Sequence, residues 1–112
     1  MKWNALTDIT QLDLIIEESK TMPVLILKHS TRCSISNMAL NRLESNWQNE
    51  DSQHIKPYYL DLLNHRDISN AIAEQFGIEH QSPQVLIISG CECIYHESHS
   101  NIRYADIMKL VK

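Results

Sequence analysis

The sequence predicts an α/β fold: one mixed central sheet with helices on both faces, ending in a C-terminal β-hairpin and a last helix. Three observations carry this reading. Short apolar runs alternate along the chain with segments of helical period. The run Val24-Leu25-Ile26-Leu27 is apolar without alternation, as in a strand covered on both faces. Ser89-Gly90 separates two strand-like runs and has hairpin-turn chemistry. The chain has 112 residues, two glycines and three prolines, so it reads as a single domain over 1–112 with no flexible linker. A chain of that size buries about two-thirds of its unfolded surface.

In chain order, Trp3 to Leu6 form a short edge strand. Asp8 and Gln11 have capping-box spacing ahead of a helix with Leu12, Ile15 and Ile16 on its apolar stripe, and Met22-Pro23 ends it. After the buried strand, a helix runs from Thr31 or Arg32 to near Gln48. Its apolar face is Ile35, Met38, Ala39, Leu43 and Trp47. Ile55 to Asp61 form a strand with Pro57 near its start, where a missing N–H is tolerated. Asp67 to Phe76 form a helix with Ile68, Ile72 and Phe76 on one face and Gly77 as its C-cap. Gln84 to Ile88 and Cys91 to His96 are the hairpin strands. A final helix from Asn101 to Val111 turns Ile102, Ala105, Met108 and Val111 inward. The order β-α-β-α-β-α-β-β-α implies parallel crossovers before an antiparallel hairpin, which is the thioredoxin arrangement.

Composition excludes several function classes. A net charge of −4 without a basic run argues against general nucleic-acid binding. No stretch approaches the ~20 apolar residues of a membrane span. The start Met1-Lys2-Trp3-Asn4 lacks the apolar core of a signal peptide, so the cytoplasm is the expected location. Three cysteines do not suit a disulfide-stapled secreted scaffold. In a reducing compartment they read as small apolar residues, metal ligands or a reactive thiol.

The chemistry concentrates in Lys28-His29-Ser30-Thr31-Arg32-Cys33-Ser34-Ile35-Ser36. Cys33 falls where the buried strand gives way to a helix, and open sheets of this kind build sites at the C-terminal ends of parallel strands. Unpaired N–H groups and the dipole at a helix start favour a thiolate, the nucleophilic form. Arg32 adds a fixed positive charge, and His29 adds another at mildly acidic pH. A CxxC motif would place a second cysteine at position 36, where the residue is Ser36. The site is therefore a one-cysteine centre.

The same run resembles the motif of the YtxJ family, monothiol bacilliredoxins of the bacillithiol system. The likeness extends to Trp3, to Asp67-Ile68-Ser69, to Ile78-Glu79-His80-Gln81-Ser82-Pro83-Gln84, and to His99 with Ile102. The resemblance implies a thioredoxin-like fold in which Cys33 removes bacillithiol, or a similar low-molecular-weight thiol, from mixed disulfides on cytosolic proteins. That thiol is a co-substrate, with no cofactor tightly bound. Thiol-capped client proteins and a low-molecular-weight thiol or disulfide reductase are the implied partners. Pro83 would match the cis-proline that faces the cysteine in such folds. Ser34 departs from the family, whose members commonly carry proline there.

Each site residue has a functional and a plainer reading. Ser36, one turn beyond Cys33, directs its hydroxyl or N–H at the sulfur, or is a solvated first-turn residue. Arg32 steadies the thiolate or a ligand carboxylate, or is simply solvated. His29 and Thr31 flank the corner, where His29 orients the thiol or packs as a hydrogen-bonded residue. A cis Ser82-Pro83 bond would expose Ser82 backbone groups to an incoming chain. His99, after the returning strand, lies back at the site edge. Cys91 and Cys93 read as packing residues on one face with Tyr95, because the strand from Pro83 carries the chain ~16 Å from the site at about 3.3 Å per residue. A zinc site from Cys91, Cys93, His96 and His99 is disfavoured, since an extended strand sends His96 to the opposite face. The alternatives to an oxidoreductase are a binding module without turnover and a redox sensor capped at Cys33.

Overall fold

Five strands, β1 (Asn4–Ala5), β2 (Val24–His29), β3 (Lys56–Asp61), β4 (Gln84–Ser89) and β5 (Glu92–Ser98), form one sheet in the order β1-β3-β2-β4-β5. The computed structural model describes residues 1–112. The helices are α1 (Gln11–Glu18), α2 (Ser34–Asn46), α3 (Arg66–Phe76) and α4 (Tyr104–Val111), with 3₁₀ turns at Asn49–Gln53 and His99–Asn101.

All six residues of β2 are buried, which is why its sequence shows no alternation. Val24 and Ile26 pack on one face with Leu12 and Ile15 of α1 and Ile68 and Ile72 of α3. Leu25 and Leu27 pack on the other with Ala39 and Leu43 of α2 and Ile107 and Met108 of α4. Each Val, Leu, Ile or Met side chain among these contributes about 1.5–3 kcal/mol when fully buried. The fold is the expected three-layer α/β arrangement. Gly77 closes α3 in the left-handed conformation, φ 67°, as read from the sequence.

One crossover differs from the expected pattern. β1 and β2 are parallel to β3, but β4 is antiparallel to β2, with Lys28 opposite Gln84 and Val24 opposite Ile88. The segment after α3 returns the chain to the C-terminal end of β2 before β4 begins, so β4 runs back down the sheet.

Other boundaries move for local reasons. The side chain of Gln11 accepts the N–H groups of Asp8 and Thr7 at 2.9 and 2.8 Å, while Asp8 bonds the N–H of Thr10 in a turn ahead of α1. α2 begins at Ser34 because Cys33 is extended, φ −107° and ψ 120°. Its buried face is Ser36, Ala39 and Leu43, and Ile35 and Met38 are 48% and 60% exposed. α4 begins at Tyr104, with Ile107 and Met108 buried and Ala105 exposed.

The hairpin turns at Gly90 and Cys91, both left-handed at φ 58° and 70°, so Cys91 is a turn residue rather than the first of the returning strand. Pairing then slips: Cys93 faces Ile88 but Tyr95 faces Ile87. Ile94 is the extra residue of a bulge, which reverses the side-chain alternation. Cys93 therefore packs on the α1/α3 face and Tyr95 on the α2/α4 face, not together.

Candidate active site

Cys33 is the N-cap of the thirteen-residue α2 and is half-buried. Its N–H donates to the Ser30 carbonyl at 3.1 Å, and its own carbonyl accepts the Asn37 N–H at 3.0 Å. No side chain caps the helix start, so first-turn N–H groups remain for an anion at this position.

The strand register brings a second segment to the same end. Because Lys28 pairs with Gln84, the last residue of β2 and the proline ahead of β4 lie side by side. The Ser82–Pro83 peptide bond is cis, as the resemblance implies. The Pro83 carbonyl accepts the N–H of His99 at 3.0 Å, which returns the end of β5 to this corner. The backbone N–H and C=O of Ser82 make no hydrogen bond within the protein, and its hydroxyl is buried without a partner.

Beneath the Cys33 loop lies a polar knot. The Ser36 hydroxyl is fully buried, receives the Ser30 N–H at 3.1 Å and lies 2.7 Å from Nδ1 of His29. The Ser36 oxygen thus serves both the Ser30 N–H and the His29 ring nitrogen. Burial lowers the His29 pKa, partly opposed by the charge of Asp61 in register beside it on β3. The Ser36 hydroxyl is thus turned into the protein instead of toward the sulfur. His29, 2% exposed and 5.4 Å from the Tyr59 ring, is a hydrogen-bonded packing residue.

The remaining residues form the rim. Thr31, Arg32, Ser34 and His99 are exposed, and the Thr31 carbonyl accepts the side-chain amide of Asn37 at 3.5 Å. Cys91 and Cys93 are at the other end of β4, beside Phe76 and Gln75, and burial raises the Cys93 thiol pKa. The bulge sets Cys93 and His96 on one face, yet no three His, Cys, Asp or Glu side chains converge as a metal site anywhere in the chain.

A group with no counterpart in the sequence reading is Lys28. It is fully buried, with Nζ 3.1 Å from the Ser69 carbonyl and 3.3 Å from Nδ1 of His80. Burial pulls its pKa down to about 8. The one sequence signal was a lysine directly continuing a non-alternating apolar run.

A monothiol bacilliredoxin family model, BrxC, matches residues 4–107. The chain belongs to that family. A candidate oxidoreductase with a thioredoxin fold superposes on it with a TM-score of 0.81 at 29% identity, covering 96% of this chain and 92% of the other. Thioredoxins from Malassezia sympodialis and Fasciola hepatica superpose with TM-scores of 0.73 and 0.71. Their identities are 14% and 12%; the first covers 98% of this chain and 88% of its own, the second 96% and 95%. These last two share the fold alone. Family membership makes thiol redox chemistry the function class of this bacilliredoxin. No helix is long and apolar enough to cross a membrane.

Proposed function

We propose that this bacilliredoxin removes bacillithiol from mixed disulfides on cytoplasmic proteins, with Cys33 as the attacking sulfur. The thiolate attacks the small-thiol sulfur of client–S–S–R, the disulfide bond breaks, and the client leaves as its thiolate. Cys33 then carries the small thiol as a new mixed disulfide, Cys33–S–S–R. A second R–S⁻, or a disulfide reductase, attacks that bond and regenerates Cys33, the small thiol leaving as RSSR in the first case. Electrons and sulfurs balance at each step.

One observation carries the reading. Cys33 caps α2 at the corner where Ser82 has unused backbone groups, and position 36 holds a serine. With Cys91 and Cys93 at the far end of β4, resolution within the molecule lacks a thiol, which favours a one-cysteine cycle. In this reading Ser82 and Pro83 align the client or ligand as an added extended segment. Arg32 meets a ligand carboxylate, since bacillithiol carries several, and Thr31, Ser34 and His99 line the entry. Ser36 and His29 act from below by holding the loop that presents the thiol.

The test is product analysis by mass spectrometry after mixing the protein with a bacillithiol-capped substrate and, separately, a glutathione-capped one. The expected result is freed substrate with a single small-thiol adduct on Cys33, faster with bacillithiol. Capture of the substrate without release would instead identify a binding module, and capping of Cys33 without substrate turnover a sensor.

A further inference from the structure

Lys28 and Gln84 are directly opposite one another on antiparallel β2 and β4, so their side chains share a face. Both are buried, at 0% and 1% exposure, and each reaches one of two consecutive residues in the segment leading to Ser82. Lys28 Nζ is 3.3 Å from Nδ1 of His80, and Gln84 Nε2 donates to the Glu79 carbonyl at 3.0 Å. We propose that Lys28, with its cross-strand partner Gln84, is a positioning residue that clamps Glu79-His80 and thereby sets the Ser82 backbone edge against the Cys33 loop. The proposal rests on the thiol-exchange reading and deepens it.

Stability does not account for an ammonium here. No carboxylate pairs with Lys28: the groups facing it are the Ser69 carbonyl, the His80 imidazole and the Gln84 amide, and Arg66 adds a further positive charge near His80. A buried unpaired cation is costly. Its acceptors do not depend on it either. The Ser69 carbonyl lies within α3, and the Ser69 hydroxyl also reaches His80 Nδ1 at 3.2 Å. What the ammonium adds is a charge-assisted bond from the central strand to the incoming segment, with more directional hold than a neutral contact.

The experiment compares the full chain with Lys28→Met and with His80→Ala, an exposed-side substitution that removes the loop partner without touching β2. Two readouts are taken: NMR of the His80 imidazole nitrogens and the 79–84 amides, and steady-state removal of a bacillithiol cap from a protein substrate. Lys28→Met should shift the Nδ1 resonance and the 79–84 amides, and raise KM about fivefold while kcat stays within about twofold. Unchanged amide shifts together with an unchanged KM would overturn the clamp. Should Lys28→Met fail to fold, His80→Ala must reproduce the KM rise, and a parental KM there overturns the proposal equally. If the parent chain removes no cap at all, the exchange reading fails, while the 79–84 amide shifts still decide the clamp.

Discussion

The Ser36 hydroxyl lies 2.7 Å from Nδ1 of His29 while accepting the N–H of Ser30. This one oxygen joins the first turn of α2 to the end of β2 and to the start of the loop that carries Cys33. Replacing Ser36 with alanine strands a half-buried N–H and a buried imidazole nitrogen together. Leaving buried groups unsatisfied costs about 1–3 kcal/mol each, so Ser36→Ala should lower stability by a few kcal/mol, read as a drop in the urea midpoint. Ser36→Thr retains the hydroxyl and should restore part of the loss; equal midpoints for the alanine variant and the parent would disprove the knot.

Cys33 occupies an extended N-cap position and contributes only backbone hydrogen bonds to the fold. Cys33→Ser should leave the unfolding free energy within about 0.5 kcal/mol of the parent, as for substitutions that break no buried hydrogen bond or core contact. The same variant should show no substrate release and no small-thiol adduct by mass spectrometry. Activity surviving in Cys33→Ser, and lost in a Cys91, Cys93 double variant, would move the chemistry to the other end of the sheet.

The strands and the Cys33 corner were legible because apolar patterning and strand-to-helix transitions are written locally. The face of α2 was not. Ile35 and Met38 looked like core by hydropathy, yet the helix turns Ser36 inward because His29 and the Ser30 N–H wait there. No local signal in α2 encodes partners on a different element. The bulge at Ile94 was equally silent, since one added residue reverses side-chain alternation without changing composition. The antiparallel entry of β4 and the buried Lys28 belong to the same class: both depend on where a loop returns.

Stability should also fall on mild acidification, for a stated reason. Burial lowers the pKa of His29, and burial with the charges of Lys28 and Arg66 lowers that of His80, both from the ordinary 6.5. The unfolded chain then binds more protons as pH falls through about 6.5, so the folded state is favoured above that value and loses ground below it. His29→Asn retains a short polar side chain but cannot titrate. Its thermal midpoint should change less than the parent's between pH 7 and pH 5; parallel curves would exclude His29 as a source.

Lys28 makes the opposite end of the pH scale informative. Its folded pKa of about 8 lies below the ordinary 10.5. Between those values the unfolded chain holds more protons at this site, so this residue's contribution to stability rises with pH across that window. Tyr58, Tyr59 and Tyr104 titrate above it with raised values, which is why the difference between Lys28→Met and the parent is the quantity to follow. The apolar variant should be the more stable at pH 7, with its advantage shrinking toward pH 10. A gap that stays constant across that range would mean that the ammonium is not desolvated in the folded protein.

Asp51 is fully buried in the turn after α2, where it accepts the Tyr104 hydroxyl at 2.5 Å and the Gln48 N–H at 2.8 Å, with Lys112 Nζ at 2.5 Å. Burial pushes its carboxyl pKa up, but the bonds from Lys112, Tyr104 and Gln48 together hold it below the usual range. Such a group stabilises the fold above its unfolded pKa near 3.8 and loses that effect as pH falls through the lower folded value. Asp51 bonds from this turn to both Tyr104 at the start of α4 and Lys112 just past its end. Asp51→Ala should therefore release α4, seen as faster amide exchange at Ile107 and Met108, while β2 amides keep their protection. Tyr104→Phe, which leaves the carboxylate its other donors, should cost less. If both variants lose protection evenly across sheet and helix, α4 is not a separately opening unit and the anchor has been assigned too local a role.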